Sequence, residues 1–402
     1  MEEATNHLDF APSQRSTVGV EWELQLVDMD SNDLRQAANT VIKQAWQVPE
    51  LKPLVHREML LNTVEIASGA HTKVSDCMRD LRFAVTSLRP KTNELRADFA
   101  AAGSHPFAQP AYQRVTDSRR YAELVQRTQY WGRQMLLYGV HVHVGVESRE
   151  KVLPIINTLL TYGGRLQSLA ASSPYWAGQD TGYASNRAMV FQQLPTSGIP
   201  RQFTHWEELE RYAADMKKAG VISTFDEVRW DIRPSPHLGT VEIRIFDACS
   251  NIREVEACAS LAHALVDYCS SLVDAGEELP RLPDWFIEEN KWRSARYGLD
   301  AQLITNASGQ TEHVRDSLAN LVEQLRPTAR ELGCEPGLEL ALEILEKGGS
   351  YTRQRAVAAA VPESPLDAVV SLLRAEMQED RPLTAEEFLD THWADAARGG
   401  TR

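Results

Sequence analysis

Nowhere in the 402-residue chain does an uninterrupted apolar run approach the ~20 residues that would span a bilayer. Positive charge is in deficit: 42 Lys and Arg stand against 56 Asp and Glu, a formal net charge of −14. Non-specific binding to nucleic acid or to anionic membranes rests on clustered Lys and Arg, so this balance argues against both partners. The opening segment, MEEATNHLDFAPSQRS, lacks the basic and apolar regions of a secretory signal. Cysteine is scarce: Cys77, Cys249, Cys258, Cys269 and Cys334 are odd in number and form no CxxC pair. That usage fits reduced thiols in a cytoplasmic protein. The phosphate loop GxxxxGK(S/T) is missing, and no GxGxxG joins a strand to a helix. Any nucleotide must therefore be held in some other way.

What is present is the composition of an ordinary globular protein, 43% hydrophobic and 24% charged. Internal repeats and low-complexity tracts are absent. Residues 1–14 read as a flexible N-terminal tail and 381–402 as a C-terminal one. Between them the pattern is mixed to about residue 275 and almost wholly helical from about 280, with no linker, so 15–380 reads as a single domain. Val74, Cys77, Leu81, Val85 and Leu88 recur at helical spacing, and Pro90 is expected to kink or end that helix. AAAGSHPF (100–107) reads as a short buried strand and a turn. Ser118–Met135 reads as one helix, as do segments near 150–170 and 204–219. Val314, Leu318, Leu321 and Leu325 form one stripe of a later helix. The Gly/Ser/Pro-rich stretch SSPYWAGQDTGYASNRAMVFQQLPTSGIP is long for a connection, and its aromatic residues favour a functional loop over disorder.

Four stretches share one alternation. In GVEWELQL, Val20, Trp22, Leu24 and Leu26 oppose Glu21, Glu23 and Gln25. In NTVEI, Val64 and Ile66 oppose Glu65; in GVHVHVGVE, the valines oppose His141, His143 and Glu147. In GTVEIRIFD, Val241, Ile243 and Ile245 oppose Glu242, Arg244 and Phe246. Strand side chains alternate between faces, and one-faced strands suit an antiparallel sheet. Glu21 with Glu23 alone is also the wet side of any amphipathic strand, so it is the convergence of several strands that points to a site. Glu58 stands an odd seven residues before Glu65, so it joins the same face only if the chain bends near Leu60–Asn62. In a cleft, Arg244 is one cation against four carboxylates, which points to metal ions as the remaining counter-charge. Carboxylates with one imidazole suit Mg²⁺ or Mn²⁺ better than structural zinc. Several carboxylates, more than one metal and a facing arginine are what a nucleoside triphosphate requires.

Taken in order, TVGVEWELQLVD, REMLLNTVEIASG, AAAGSHPFA, YGVHVHVGVES, SNRAMVFQQLPTSG and WDIRPSPHLGTVEIRIFD resemble the type 2 glutamate–cysteine ligase family, the carboxylate–amine ligases with a glutamine synthetase-like catalytic sheet. The resemblance spans roughly residues 15–380, a single catalytic domain. It implies an α+β fold in which a curved antiparallel sheet forms a funnel-shaped site, backed by helices, with a helical C-terminal part. It also implies ATP-dependent chemistry: a carboxylate, typically the γ-carboxylate of glutamate, becomes an acyl phosphate that cysteine or another amine attacks to give an amide. On the resemblance, Glu21, Glu23, Glu65 and Glu242 are metal ligands with Glu58 beside them, and His141 is the imidazole ligand. His143 is then a contact to the nucleotide phosphates, Arg244 steadies the γ-phosphoryl group, and Arg187 and Arg233 are candidates for an amino-acid carboxylate or a phosphate. The implied cofactors are ATP and Mg (or Mn), and the partners are small-molecule substrates, with the amine and any homo-oligomer left open.

Two other readings use the same residues. An amidohydrolase-type hydrolase also places His-x-His at a strand end, but needs repeating βα units and further histidines at later strand ends. Here His205, His237, His263, His313 and His392 fall mostly in expected helix or turn. A non-catalytic metal- or nucleotide-binding sensor would need the carboxylates without the phosphoryl chemistry.

Overall fold

A computed structural model describes residues 8–393. The first strand, β1 (Val18–Asp28), is followed by α1 (Ala38–Ala45), β2 (Val55–Arg57), β3 (Thr63–Ala67), α2 (Val74–Glu94) and β4 (Ala97–Ala100). Next come α3 (Arg119–Thr128), α4 (Tyr130–Arg133), β5 (Gly139–Gly145) and α5 (Arg149–Ala170). The long loop contributes three two-residue strands, β6 (Tyr175–Trp176), β7 (Gln179–Asp180) and β8 (Ser197–Gly198), with α6 (Asn186–Phe191) between the last two. After α7 (Trp206–Lys218) and β9 (Arg229–Trp230), β10 (Ile232–Ser235) and β11 (Thr240–Asp247) complete the main sheet. The remainder is α8 (Ile252–Ala275), α9 (Asp284–Tyr297), β12 (Gln302–Ile304), β13 (Thr311–His313), α10 (Val314–Leu332), α11 (Glu335–Lys347), α12 (Ser350–Ala360), α13 (Pro365–Glu379) and α14 (Ala385–Phe388).

The main sheet is antiparallel and mixed with helices in an α+β architecture. Its order is β10-β11-β5-β1-β3-β2, and β4 pairs with the far end of β1. The alternation in the sequence is what sorts its faces. Val18, Val20, Trp22, Leu24 and Leu26 are buried behind β1, as are Val140, Val142 and Val144 behind β5. These side chains meet α2, α5 and α8, and full burial of each contributes about 1.5–3 kcal/mol. Trp22 also donates its indole N–H to the Cys249 carbonyl at 3.1 Å, pinning the sheet to the start of α8. That helix begins at Asn251, whose side chain accepts the Glu254 N–H, and ends at Gly276 with φ 68°. All five cysteines are free and buried. Among the described residues no helix is long and apolar enough to cross a membrane.

Several expectations are corrected. The helix does not end at Pro90 but runs on to Glu94, at the loss of the one hydrogen bond that residue 90 would donate to the Thr86 carbonyl. The segment expected as one helix over 118–135 breaks at Gln129, which has φ 48° and separates α3 from α4. The strand expected from residue 100 lies earlier, as β4, and 101–107 is loop. Phe246 was assigned to the carboxylate face, but a register shift between Ile243 and Phe246 turns it to the core opposite Val140. A small hairpin, β12–β13, interrupts the helical C-terminal part.

Neither tail is free where it is described. Ala11 donates to the Pro236 carbonyl at 2.8 Å, and Phe10 packs edge-on to Trp206. At the other end Leu383 and Phe388 are buried. Residues 1–7 and 394–402 lie outside the described part.

His105, in the loop after β4, is buried with its hydrogen bonds fully committed. Nε2 faces the Asn32 carbonyl at 3.0 Å, and Nδ1 accepts from the N–H groups of Phe107 and Ala108 at 3.3 and 3.1 Å. Only the neutral ring satisfies that arrangement, and burial pushes its pKa down to about 4. The unfolded chain therefore binds the extra proton first, and stability present above pH ~6.5 is lost as pH falls toward 4, by roughly 3 kcal/mol. His105→Gln should flatten this part of the pH profile. Denaturation midpoints of both proteins at pH 4.5 and 7 check it, and equal pH losses would show that His105 does not drive the effect.

Candidate active site

Strand register arranges the polar face in rows. Arg233 stands opposite Glu242, Glu242 opposite His143, Glu21 opposite His141, and Glu23 opposite Glu65. Successive rows along a strand are ~6.5–7 Å apart. Glu58 belongs to neither β2 nor β3. It reaches the face because the chain bends between them, held by the Thr116 hydroxyl donating to the Glu58 carbonyl at 2.7 Å and by Thr116 N–H to the Met59 carbonyl. The bend at Leu60–Asn62 on which its membership depended is present.

Two groups of side chains that could hold a metal ion result. Glu21, His143 and Glu242 each place one ligand atom within 4.8 Å of the other two, and so do Glu23, Glu58 and Glu65. In the second group, two charges at that separation repel by about 3.5 kcal/mol at an effective dielectric of 20. The consequence appears in the titration. Burial, then the Glu58 charge, pushes Glu23 up to about 8, and burial with the Glu58, Glu21 and Glu23 charges holds Glu65 well above the carboxylate range. The first group behaves oppositely. Burial works against ionisation of Glu21 and Glu242, but His141 and His143 at Glu21, and Arg244, His143 and Arg233 at Glu242, hold both well below the usual range.

The two histidines have different surroundings. His143 joins the first group because it faces Glu242 across β5–β11 and lies 3.3 Å from Glu21 through Nε2, while its Nδ1 meets Thr240 at 3.0 Å. His141, expected as the imidazole ligand, contacts Glu21 through Nδ1 at 2.9 Å, with Arg244 alongside. The carboxylate fixes its proton on Nδ1, and burial, then the Arg244 charge, lowers its pKa to about 4. Burial opposes protonation of His143 too, yet the Glu242 and Glu21 charges outweigh it and raise its pKa.

Three guanidiniums, not one, share this face. Arg244 pairs with Glu242 through Nη1, and its buried Nε has no hydrogen-bond acceptor among the described residues. Continuing the β10–β11 ladder, the Arg244 N–H donates to the Asp231 carbonyl at 2.8 Å, and the buried Asp231–Lys291 pair at 2.6 Å braces that strand against α9. Arg233 donates to Glu242 at 2.6 Å. Arg187 comes from α6, far along the chain, and both its terminal nitrogens lie 3.2 Å from the Arg244 carbonyl. A Cβ on Gly139 would lie 2.3 Å from that guanidinium, so only glycine admits it there. Gly139 also donates its N–H to Glu23 at 2.5 Å. The sequence carried no sign of either role, since both depend on a residue that lacks a side chain.

Two hollows flank the carboxylates. One, of about 240 Å³, joins Glu23, Glu58 and Glu65 to Arg187, Arg233 and Arg244, with an apolar wall that includes Leu124, Met135 and Phe191. The other, also about 240 Å³, opens beyond Glu21 and His143 and is mostly apolar, formed around Val18–Val20, Ala67, Ala70 and Leu238.

A family model described as glutamate-cysteine ligase family 2 matches residues 17–379. A protein of Mycobacterium sp. (strain KMS), provisionally named glutamate–cysteine ligase 2-1, is 50% identical over 375 residues, covering 93% of this chain and 98% of that one. Another of Paenarthrobacter aurescens (strain TC1), provisionally named glutamate–cysteine ligase 2-2, is 49% identical over 378 residues, with 92% and 98% covered. The fold also matches the glutamate–cysteine ligase of Francisella tularensis in complex with AMP, with a TM-score of 0.63 at 11% identity and coverage of 98% of this chain and 100% of that one. A bifunctional glutathione synthetase from Pasteurella multocida matches with a TM-score of 0.60 at 15% identity, covering 90% of this chain and 51% of that one. At these identities the solved structures speak to the fold alone.

The repulsion within Glu23, Glu58 and Glu65 has a measurable sign. Glu65→Gln removes one of three crowded carboxyl groups, so the metal-free protein should melt at or above the wild-type temperature at pH 8, by about 1 °C per kcal/mol relieved. Mg²⁺ or Mn²⁺ should stabilise the wild type and leave the variant unmoved. Melting curves with and without metal check both, and a variant that loses stability without metal would mark Glu65 as structural.

Proposed function

The chain belongs to the glutamate–cysteine ligase family 2, a family of ligases, and from that premise we propose that it joins a carboxylate to an amine at the expense of ATP. The carboxylate is the γ-carboxylate of glutamate, activated as an acyl phosphate, and cysteine or another amine then displaces phosphate to form the amide. The observation that carries this reading is the pair of anionic groups one strand step apart, with three guanidiniums on the same face.

The donor set fits hard divalent cations. Five carboxylates and one imidazole suit Mg²⁺ or Mn²⁺, with Glu23, Glu58 and Glu65 as one set of ligands and Glu21, His143 and Glu242 as the other. Bound there, the ions would neutralise phosphate charge that the carboxylates alone repel. His141 orients Glu21 through its Nδ1–H. The apolar hollow beyond Glu21 and His143 suits the nucleoside, and the guanidinium-lined cleft suits the acceptor carboxylate and the amine. Arg244 lines that cleft, and Glu21 lies between the two hollows. Its planar fork, with Nε uncommitted, suits the oxygens of the phosphoryl group in flight. Arg187 and Arg233 suit the carboxylates of the acceptor.

Purified protein with Mg-ATP, glutamate and a panel of amines should release ADP and form a new amide only when both carboxylate and amine are present. ATP binding without turnover across the panel would favour the sensor, and hydrolysis of an amide without ATP would favour the hydrolase.

Arg244→Lys keeps the charge and loses the fork. Turnover should fall by about 10²–10³, with ATP affinity nearly unchanged. Calorimetry and mass spectrometry on one preparation check this. Normal turnover removes Arg244 from the mechanism, and equal losses of affinity and turnover make it a ground-state contact.

A further inference from the structure

Asp247 ends β11 three residues beyond Arg244 and is buried. Its carboxylate accepts three hydrogen bonds: from the Ser172 N–H at 3.0 Å, the Ser173 hydroxyl at 2.6 Å and the Ser185 hydroxyl at 2.8 Å. Two of those hydroxyls also hold the turn that carries Arg187. Ser173 Oγ accepts the Arg187 N–H at 3.1 Å, and Ser185 Oγ accepts the Ala188 N–H at 3.1 Å, capping α6. Gly103 makes the approach possible, since a Cβ there would lie 2.5 Å from the Asp247 carboxylate. At the far end of this chain of contacts, the Arg187 guanidinium lies against the Arg244 carbonyl and over the Phe191 ring, 5.6 Å from its centroid.

Three donors converge on one side chain, and only an acceptor-only group takes all three. An amide would set its own N–H₂ against a hydroxyl or the Ser172 N–H. We propose that Asp247 is a positioning residue: through Ser173 and Ser185 it fixes the first turn of α6, and so aims Arg187 into the cleft beside Glu23 and Arg244, where the guanidinium receives the carboxylate of the acceptor substrate. The last step rests on the ligase reading, and the placement of Arg187 does not. Nothing in this chain of contacts reaches the apolar hollow, so the nucleotide side is spared.

The test compares Asp247→Asn, Ser185→Ala, Arg187→Ala and the double variant Asp247→Asn with Arg187→Ala. Asp247→Asn should raise KM for glutamate about tenfold while KM for ATP stays within about twofold, and Ser185→Ala should move the same constant less. In the Arg187→Ala background, Asp247→Asn should add nothing further to the glutamate KM. An unchanged glutamate KM, equal rises for both substrates, or full additivity in the double variant would overturn the proposal. If Asp247→Asn fails to fold, Ser185→Ala carries the same comparison. If the wild type shows no glutamate-dependent turnover, the ligase reading fails instead, and crystal structures of the variants decide the positioning. Arg187 displaced from the Arg244 carbonyl supports it, and Arg187 unmoved overturns it.

Discussion

Five carboxylates held against one face of a sheet repel one another, and the rest of the molecule can be read as the means of keeping them there. The cost is set by burial as much as by distance. The same separation that matters little in open water becomes several kcal/mol once the walls of a cleft exclude it. The protein compensates unequally. Glu21 and Glu242 are given histidines and arginines and stay ionised, whereas Glu23, Glu58 and Glu65 are left under-compensated. That asymmetry is hard to account for as a device for stability.

The apolar backing makes the arrangement tolerable. β1 is buried behind by α2 and α8, and β11 by α5, so the carboxylates ride on a sheet with a dense core beneath it. The C-terminal helices add a second anchor. Arg353 of α12, 2% exposed, donates to Glu254 of α8 at 2.8 Å and to Glu376 of α13 at 2.7 Å. Breaking such a buried triad costs about 3–5 kcal/mol, because it strands an uncompensated charge. The helical third of the chain thus serves the sheet from outside the site.

The faces of the sheet were legible in the sequence because period-two alternation over β1, β3 and β5 is unambiguous. A shared face followed from it for Glu21, Glu23, Glu65 and Glu242. Alternation says which way a side chain points but not which neighbour it meets: that His143 faces Glu242 is set by register across β5–β11. The bulge in β11 hid Phe246 for the same reason, since one extra residue reverses every later assignment. Gly139 and Asp247 were illegible for a different reason. The first acts by what it lacks, and the second acts through a loop more than sixty residues earlier in the chain.

β1 carries Glu21 and Glu23 at the centre of the sheet, paired with β3 on one side and with β5 and β4 on the other. A strand so placed does not open by local fraying. Its amides exchange with solvent only when the surrounding sheet comes apart. The two positions at the heart of the site therefore share one cooperative unit with the core, and no sub-global excursion separates them. The α3 wall of the cleft is different in kind, for none of its described side chains is buried and Gln129 interrupts it. The carboxylate floor is thus tied into the core, whereas the α3 wall of the cleft is not.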